Sequence, residues 1–230
     1  MSVFSVITAV REGGDTYLRD TYESVACQRL PPGWSVQWLV QAEGDVHART
    51  RALQRAEGVL TRTLDAGRLL PDEHALARDI EALAAHSDLG WTVAPVLGPH
   101  ADGRLAPGSS DLAPGRLPPG LLADRLRAGV LTAAEVAATR YTELAVAHGG
   151  WTDLPPWDRV GPLLAAEAVV DGWVQEMPGE VRRTNTDRPF PDSGDQHESD
   201  TTTRTALVLG RADALRQLGW RWRPSTPVTV

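Results

Sequence analysis

The chain has 230 residues, 23 basic and 30 acidic side chains and a formal net charge of -7, and its 42% of hydrophobic residues is enough for a sizeable core in one large or two small domains. All 23 basic residues are Arg, which excludes chemistry built on a Walker A lysine, a kinase strand lysine or a Schiff-base lysine. The lone Cys27 excludes an internal disulfide, a CxxC redox pair and a multi-cysteine zinc site, and the acidic balance argues against extended nucleic-acid binding while leaving room for a local anion pocket built from Arg.

In chain order, residues 3–10 are almost continuously apolar and β-branched, which predicts a strand buried on both faces of a parallel sheet. Asp15 then caps a helix that carries Leu18, Tyr22, Val25 and Ala26 on one face, and Pro31, Pro32 and Gly33 end the turn before a second strand at 35–41. A helix over 46–57 leads through Gly58 to a strand at 59–64. Pro71, Asp72 and Glu73 open a helix bearing Leu76, Ile80 and Leu83, and Trp91–Leu97 reads as a fourth strand. Strands alternating with helices predict an α/β fold with right-handed crossovers and a mostly parallel sheet. Ligands bind such sheets beyond the carboxyl ends of the strands. Three of those ends deliver charge: Arg11 and Glu12, then Glu43 and Asp45, then Asp65 and Arg68.

Residues 98–120 turn to Gly, Pro, Ser and Asp without periodicity and read as a long surface loop or lid. Thr132 and Glu135 form a capping-box pattern that predicts a helix through about 147, stopped by Gly149 and Gly150. A helix over 158–171 and two short strands within 172–184 follow. Residues 186–200 are acidic and read as a mobile linker, and 204–223 read as a helix followed by an extended Trp220-Arg221-Trp222-Arg223. The absence of a basic leader and of any long apolar run predicts a cytoplasmic protein without a membrane span.

These landmarks, in this order, resemble the inverting family 2 glycosyltransferases of GT-A fold. The resemblance rests on Ser5-Val6-Ile7-Thr8-Ala9-Val10-Arg11, on Glu23-Ser24-Val25-Ala26-Cys27-Gln28, on Leu64-Asp65-Ala66-Gly67-Arg68-Leu69-Leu70-Pro71, and on Gly149-Gly150-Trp151 followed by Asp158. It covers about 3–185 and implies a nucleotide-sugar-binding half over 1–100, an acceptor-binding half over 101–185 and a C-terminal extension over 186–230.

The resemblance implies that Thr8, Ala9, Val10 and Arg11 line the nucleotide, together with Glu43 from an acidic pair whose other position is Ala42. The family's Asp-x-Asp motif, which holds Mg2+ or Mn2+ on the diphosphate, is represented only by Asp65, with Gly67 and Arg68 at the matching positions. Metal binding is therefore weakened or lost, because a hard cation wants several oxygen ligands. Arg68 could take the phosphate bidentately or be a solvent-exposed Arg at a helix entrance. Asp158 matches the family's base, its acidic neighbour replaced by Trp157, and could equally cap the helix that starts there. Trp151 and Trp157 are candidates for stacking on an acceptor or for the core. Arg182 and Arg183 match a basic position near the diphosphate or end an exposed strand. The six His show no ligand spacing. Two functions follow. One is sugar transfer from a nucleotide-activated donor to an acceptor hydroxyl. The other is a GT-A-shaped scaffold that has lost its chemistry and docks a partner, or a second copy of itself, through its Arg- and Trp-bearing C-terminus. Nucleotidyl transfer is the weaker third.

Overall fold

The computed structural model describes residues 1–10, 15–42, 47–99, 104–107, 112–130, 136–151, 160–182 and 198–230. The first half follows the βα alternation: β1 (Ser2–Val10), α1 (Asp15–Ala26), β2 (Trp34–Ala42), α2 (Ala48–Gln54), β3 (Leu60–Thr63), β4 (Arg68–Leu69), α3 (Ala75–Ala85) and β5 (Leu89–Pro99). It continues through β6 (Leu105–Pro107), β7 (Gly115–Leu117), α4 (Leu121–Arg127), β8 (Val136–Tyr141), α5 (Thr142–Ala147), α6 (Val160–Glu167), β9 (Asp171–Val174), β10 (Glu180–Arg182) and α7 (Glu198–Gln217).

The main strand order is β2-β1-β3-β8-β5-β10-β4, with β9 and β6 also paired to β5 and β7 paired to β9. Strands β1, β2, β3, β5, β9 and β10 run in one direction, and β8 with the short β4, β6 and β7 runs the other way. The expected α/β architecture with a mostly parallel sheet is present. Its main core cluster reaches from Phe4 and Leu60 through Trp91, Leu144 and Leu164 to Trp222 and Val228, and a smaller one gathers Ile7, Ala52, Leu53, Ala145 and Trp151.

Three expectations are corrected. The predicted helix over 132–147 is a strand followed by a short helix, since Val136–Tyr141 form β8 and only Thr142–Ala147 coil. Alanines favour a helix, but this stretch fills the slot between β3 and β5. There it pairs on both edges and is almost wholly buried, so tertiary hydrogen bonding overrides local propensity. Thr132 and Glu135 lie outside the described residues. The stretch 98–120 is not a structureless loop, because β5 runs on to Pro99 and β6 and β7 add strands. The acidic segment read as mobile gives up its end to α7, which begins at Glu198, and the rest of it lies outside the described residues.

The C-terminal segment belongs to this domain. Trp222 N–H donates to Val169 O at 3.1 Å, Val228 N–H to the Tyr141 hydroxyl at 3.0 Å, and the Trp34 indole N–H to Thr229 O at 3.0 Å. Trp34 opens β2 and Tyr141 lies opposite Leu60 at the start of β3, so the tail runs along the amino-terminal edge of these strands. It lies away from the rim on which the charged strand ends gather. Trp222 is spent on the core rather than offered to a partner. Among the described residues no helix is long and apolar enough to cross a membrane.

Glu167 is a buried carboxyl that holds α4. Its oxygens accept the Leu122 N–H at 2.5 Å and the Ala123 N–H at 3.3 Å, satisfying two donors of a helix start that has no side-chain cap of its own. Burial pushes its pKa up to about 7, against the opposing pull of those two N–H groups. The folded state therefore holds a proton that the unfolded state releases, and stability falls as pH rises from about 4.5 to about 7 and is flat above. Glu167→Gln is expected to flatten this slope. Thermal unfolding at pH 5 and pH 8 checks it, and an unchanged pH dependence in the variant would reject the assignment.

Candidate functional site

The site is built on the carboxyl ends of β1 and β3. Thr8 is fully buried and its hydroxyl accepts the Trp38 indole N–H at 2.8 Å, tying the end of β1 to β2. Ala9 O accepts the Ala66 N–H at 3.1 Å, and Val10 lies opposite Ala42, so the last residues of β1 border the turn that leaves β3. That turn is closed by Arg68 N–H donating to Asp65 O at 3.0 Å, with Gly67 at φ +86. The positive φ is why a glycine follows Asp65-Ala66. Thr21 of α1 fixes it, accepting the Gly67 N–H and donating to Arg68 O, both at 3.1 Å.

Arg49, in the first turn of α2, donates to an Asp65 carboxylate oxygen at 3.1 Å, with both side chains largely buried. Arg68 donates to Glu180 at 2.5 Å, and the Glu180 side chain is fully buried. The Arg68 guanidinium is thus neither free nor solvated, and its first task is to neutralise a buried carboxylate. Arg182 lies directly opposite Arg68 in the β4–β10 pairing, is exposed, and lays its guanidinium over Gly98, where an added Cβ would come within 3.4 Å of it. It has no ion-pair partner among the described residues, which leaves it more available than Arg49 or Arg68.

Trp151 is placed by the turn after α5. Gly149 and Gly150 both have φ +74, and a Cβ on Gly150 would lie 2.9 Å from the Thr50 hydroxyl, so the paired glycines answer both to backbone conformation and to close packing on α2. Thr50 accepts the Trp151 N–H at 3.2 Å. The Trp151 ring is 6% exposed among Ile7, Ala52, Leu53 and Ala145. The expectation that it stacks on an acceptor therefore gives way to a core role. Arg11, Glu43, Trp157, Asp158 and Arg183 lie outside the described residues.

The rim thus unites Asp65, Arg68 and Arg182 with the end of β1. Sequence reasoning missed Arg49 and Glu180. Arg49 carries a weak signal, an arginine in the helix that returns to the strand ending at Asp65. Glu180 carries none, since 112 positions separate it from Arg68. A hard divalent cation wants several convergent oxygens. Asp65 is already engaged by Arg49, and among the described residues no group of three or more His, Cys, Asp or Glu converges. The described residues do not fit Mg2+ or Mn2+.

No protein-family model matches the sequence, and no curated protein matches it. Solved structures do. Residues 1–349 of S. aureus TarS in complex with UDP-GlcNAc superpose with a TM-score of 0.68 at 15% identity, over 94% of this chain and 70% of that one. A longer TarS structure gives 0.59, and this chain spans 45% of it. The mannosyltransferase PcManGT from Pyrobaculum calidifontis, in complex with GDP-Man and Mn2+, gives 0.50 at 16% identity over 96% of this chain. TarS is a GT-A glycosyltransferase, and this chain has the GT-A fold.

Proposed function

We propose that this chain is a glycosyltransferase that moves a sugar from a nucleotide-activated donor to an acceptor hydroxyl, with inversion at the anomeric carbon. The observation that carries this reading is the gathering of Asp65, Arg49 and Arg182 at the strand carboxyl ends of a fold whose neighbour TarS is seen with UDP-GlcNAc. In open α/β sheets that rim is where nucleotides sit.

The roles follow from chemistry. Val10, Arg11 and Glu43 border the nucleoside, and the buried Thr8 and Ala9 fix the strand end behind them. Asp158 removes the proton of the acceptor hydroxyl as that oxygen attacks the anomeric carbon, and the bond from that carbon to the diphosphate oxygen breaks with its electron pair leaving on the phosphate. Arg182, with Arg183 beside it in sequence, meets the negative charge that develops there, and Arg68, spent on Glu180, holds the strand pair on which Arg182 sits. Trp157 is the aromatic residue on the acceptor side. Asp65 holds Arg49 in place.

Titration calorimetry with the full chain and a panel of nucleoside diphosphates and nucleotide sugars tests the reading. At least one is expected to bind, and Arg182→Gln is expected to weaken it about 10- to 100-fold, the worth of one charged hydrogen bond of about 1.5–3 kcal/mol. Absence of heat with every member of the panel would reject sugar transfer in favour of the scaffold reading.

A further inference from the structure

A second cluster of cationic and polar groups lies beneath the rim, on the sheet face covered by α2 and α5. Arg140 projects there from β8, opposite Thr61 of β3 and Trp91 of β5, and is 5% exposed. Its guanidinium carbon sits 4.9 Å from the centre of the Trp151 ring. No carboxylate pairs with it among the described residues, and its Nε has no partner. The Thr61 hydroxyl directly across the strand pair is also buried without a partner. His148, at the end of α5, is 4% exposed and neither ring nitrogen has a partner. Arg211 of α7 reaches in, donates to the His148 carbonyl and makes no ion pair among the described residues.

Buried polar groups are normally satisfied, and a buried guanidinium normally has a counter-charge. Among the described residues three side chains on one face, Arg140, Thr61 and His148, depart from that rule together, and the half-buried Arg211 brings a second cation without a carboxylate beside them. Burial pulls Arg140 down to about 10, which still leaves it charged at neutral pH. Burial, aided by the charges of Arg140 and Arg211, holds His148 at about 4, so its ring is neutral and offers one donor and one acceptor. Among the described residues the arrangement is short of one negative charge and of a multivalent acceptor.

We propose that Arg140, Arg211 and His148 form a binding site for one oxyanion of the phosphate class, with Thr61 as a further donor. Phosphate suits this set better than chloride because its several oxygens can accept from two guanidiniums, an imidazole and a hydroxyl at once. The site does not rest on the sugar-transfer reading. Its connection to the rim runs through Thr50, which holds the Trp151 backbone and neighbours Arg49 in α2. The phosphate is either the free ion or the monoester of a small organic molecule.

Thermal unfolding of the full chain is measured with inorganic phosphate against chloride at matched ionic strength. Phosphate is expected to raise Tm saturably, by about 4 °C at ten times its Kd. The rise is expected to vanish in Arg140→Gln, to weaken in Arg211→Gln, to return in part in Arg140→Lys, and to persist in Arg182→Gln. A rise lost in Arg182→Gln but kept in Arg140→Gln would put the anion on the rim and overturn the proposal, as would no rise beyond chloride. Without phosphate, Arg140→Met is expected to melt above the parent, because it removes an uncompensated buried charge. A variant that instead fails to fold would reveal a resident counter-charge and also overturn the site. With the site supported, glycerol phosphate acting at lower concentration than inorganic phosphate identifies a phosphate monoester as the source, and the reverse order identifies the free ion.

Discussion

Asp158→Asn is expected to lower turnover by about 10²- to 10⁴-fold, the range supplied by a positioned general base, with nucleoside diphosphate affinity unchanged within about twofold. The substitution is chosen because it separates the two roles open to this residue. Asn caps a helix start about as well as Asp, so a purely structural Asp158 would leave both stability and turnover near the parent values. Asn cannot take a proton from a hydroxyl, so a catalytic Asp158 loses kcat while the melting temperature holds. Loss of the ionisation on the acid limb of the pH–rate profile would accompany it, since that limb reports the base. Unchanged turnover would reject the base assignment without touching the nucleotide site, whose separate check is the calorimetry with Arg182→Gln.

The largest expected effect on stability belongs to Asp79 of α3. Its carboxylate, on a residue 2% exposed, accepts Arg62 at 3.1 Å, Thr92 at 2.7 Å, Thr139 at 2.5 Å and Gln175 at 3.3 Å. One acidic group thereby ties α3 to β3, β5 and β8 and to the chain after β9. Arg62, itself 1% exposed, spends a second N–H on the Gly179 carbonyl just before β10. Asp79→Ala strands the guanidinium in the core and is expected to cost about 3–5 kcal/mol, a fall of about 6–20 °C in Tm for a chain of this size. Asp79→Leu with Arg62→Met, which removes both charges, is expected to recover a large part of that loss. A denaturant series on the three proteins decides it. If the double variant is as unstable as Asp79→Ala, packing rather than the stranded charge carries the cost.

Most of the frame was legible in the sequence because it obeys local rules. The β-branched run at 3–10 and the apolar stretch from Trp91 to Leu97 can be buried only as strands of a covered sheet, and both are. The double glycine at 149–150 marked the end of a helix, and each of the two has the positive φ that calls for Gly. Residues 136–141 were misread for an equally physical reason. Taken alone, Val-Ala-Ala-Thr-Arg-Tyr after a capping-box pattern is a reasonable helix. What makes it a strand is the pair of open edges on β3 and β5, which lie far from it in the chain.

The same division applies to the site. The sequence alone determined that charged residues follow the parallel strands and that Arg is its only strong cation. Those are properties of composition and of positions near one another along the chain. Only the tertiary structure decided which charges remain available. It gave Arg68 to Glu180, set Arg49 on Asp65, left Arg182 exposed, turned Trp151 inward onto Arg140 and laid the C-terminal tail along the edge opposite the rim. Ion pairing and burial join residues separated by tens to more than a hundred positions, and the energy of a charge depends on the dielectric and the partner it meets, neither of which is written at its own position.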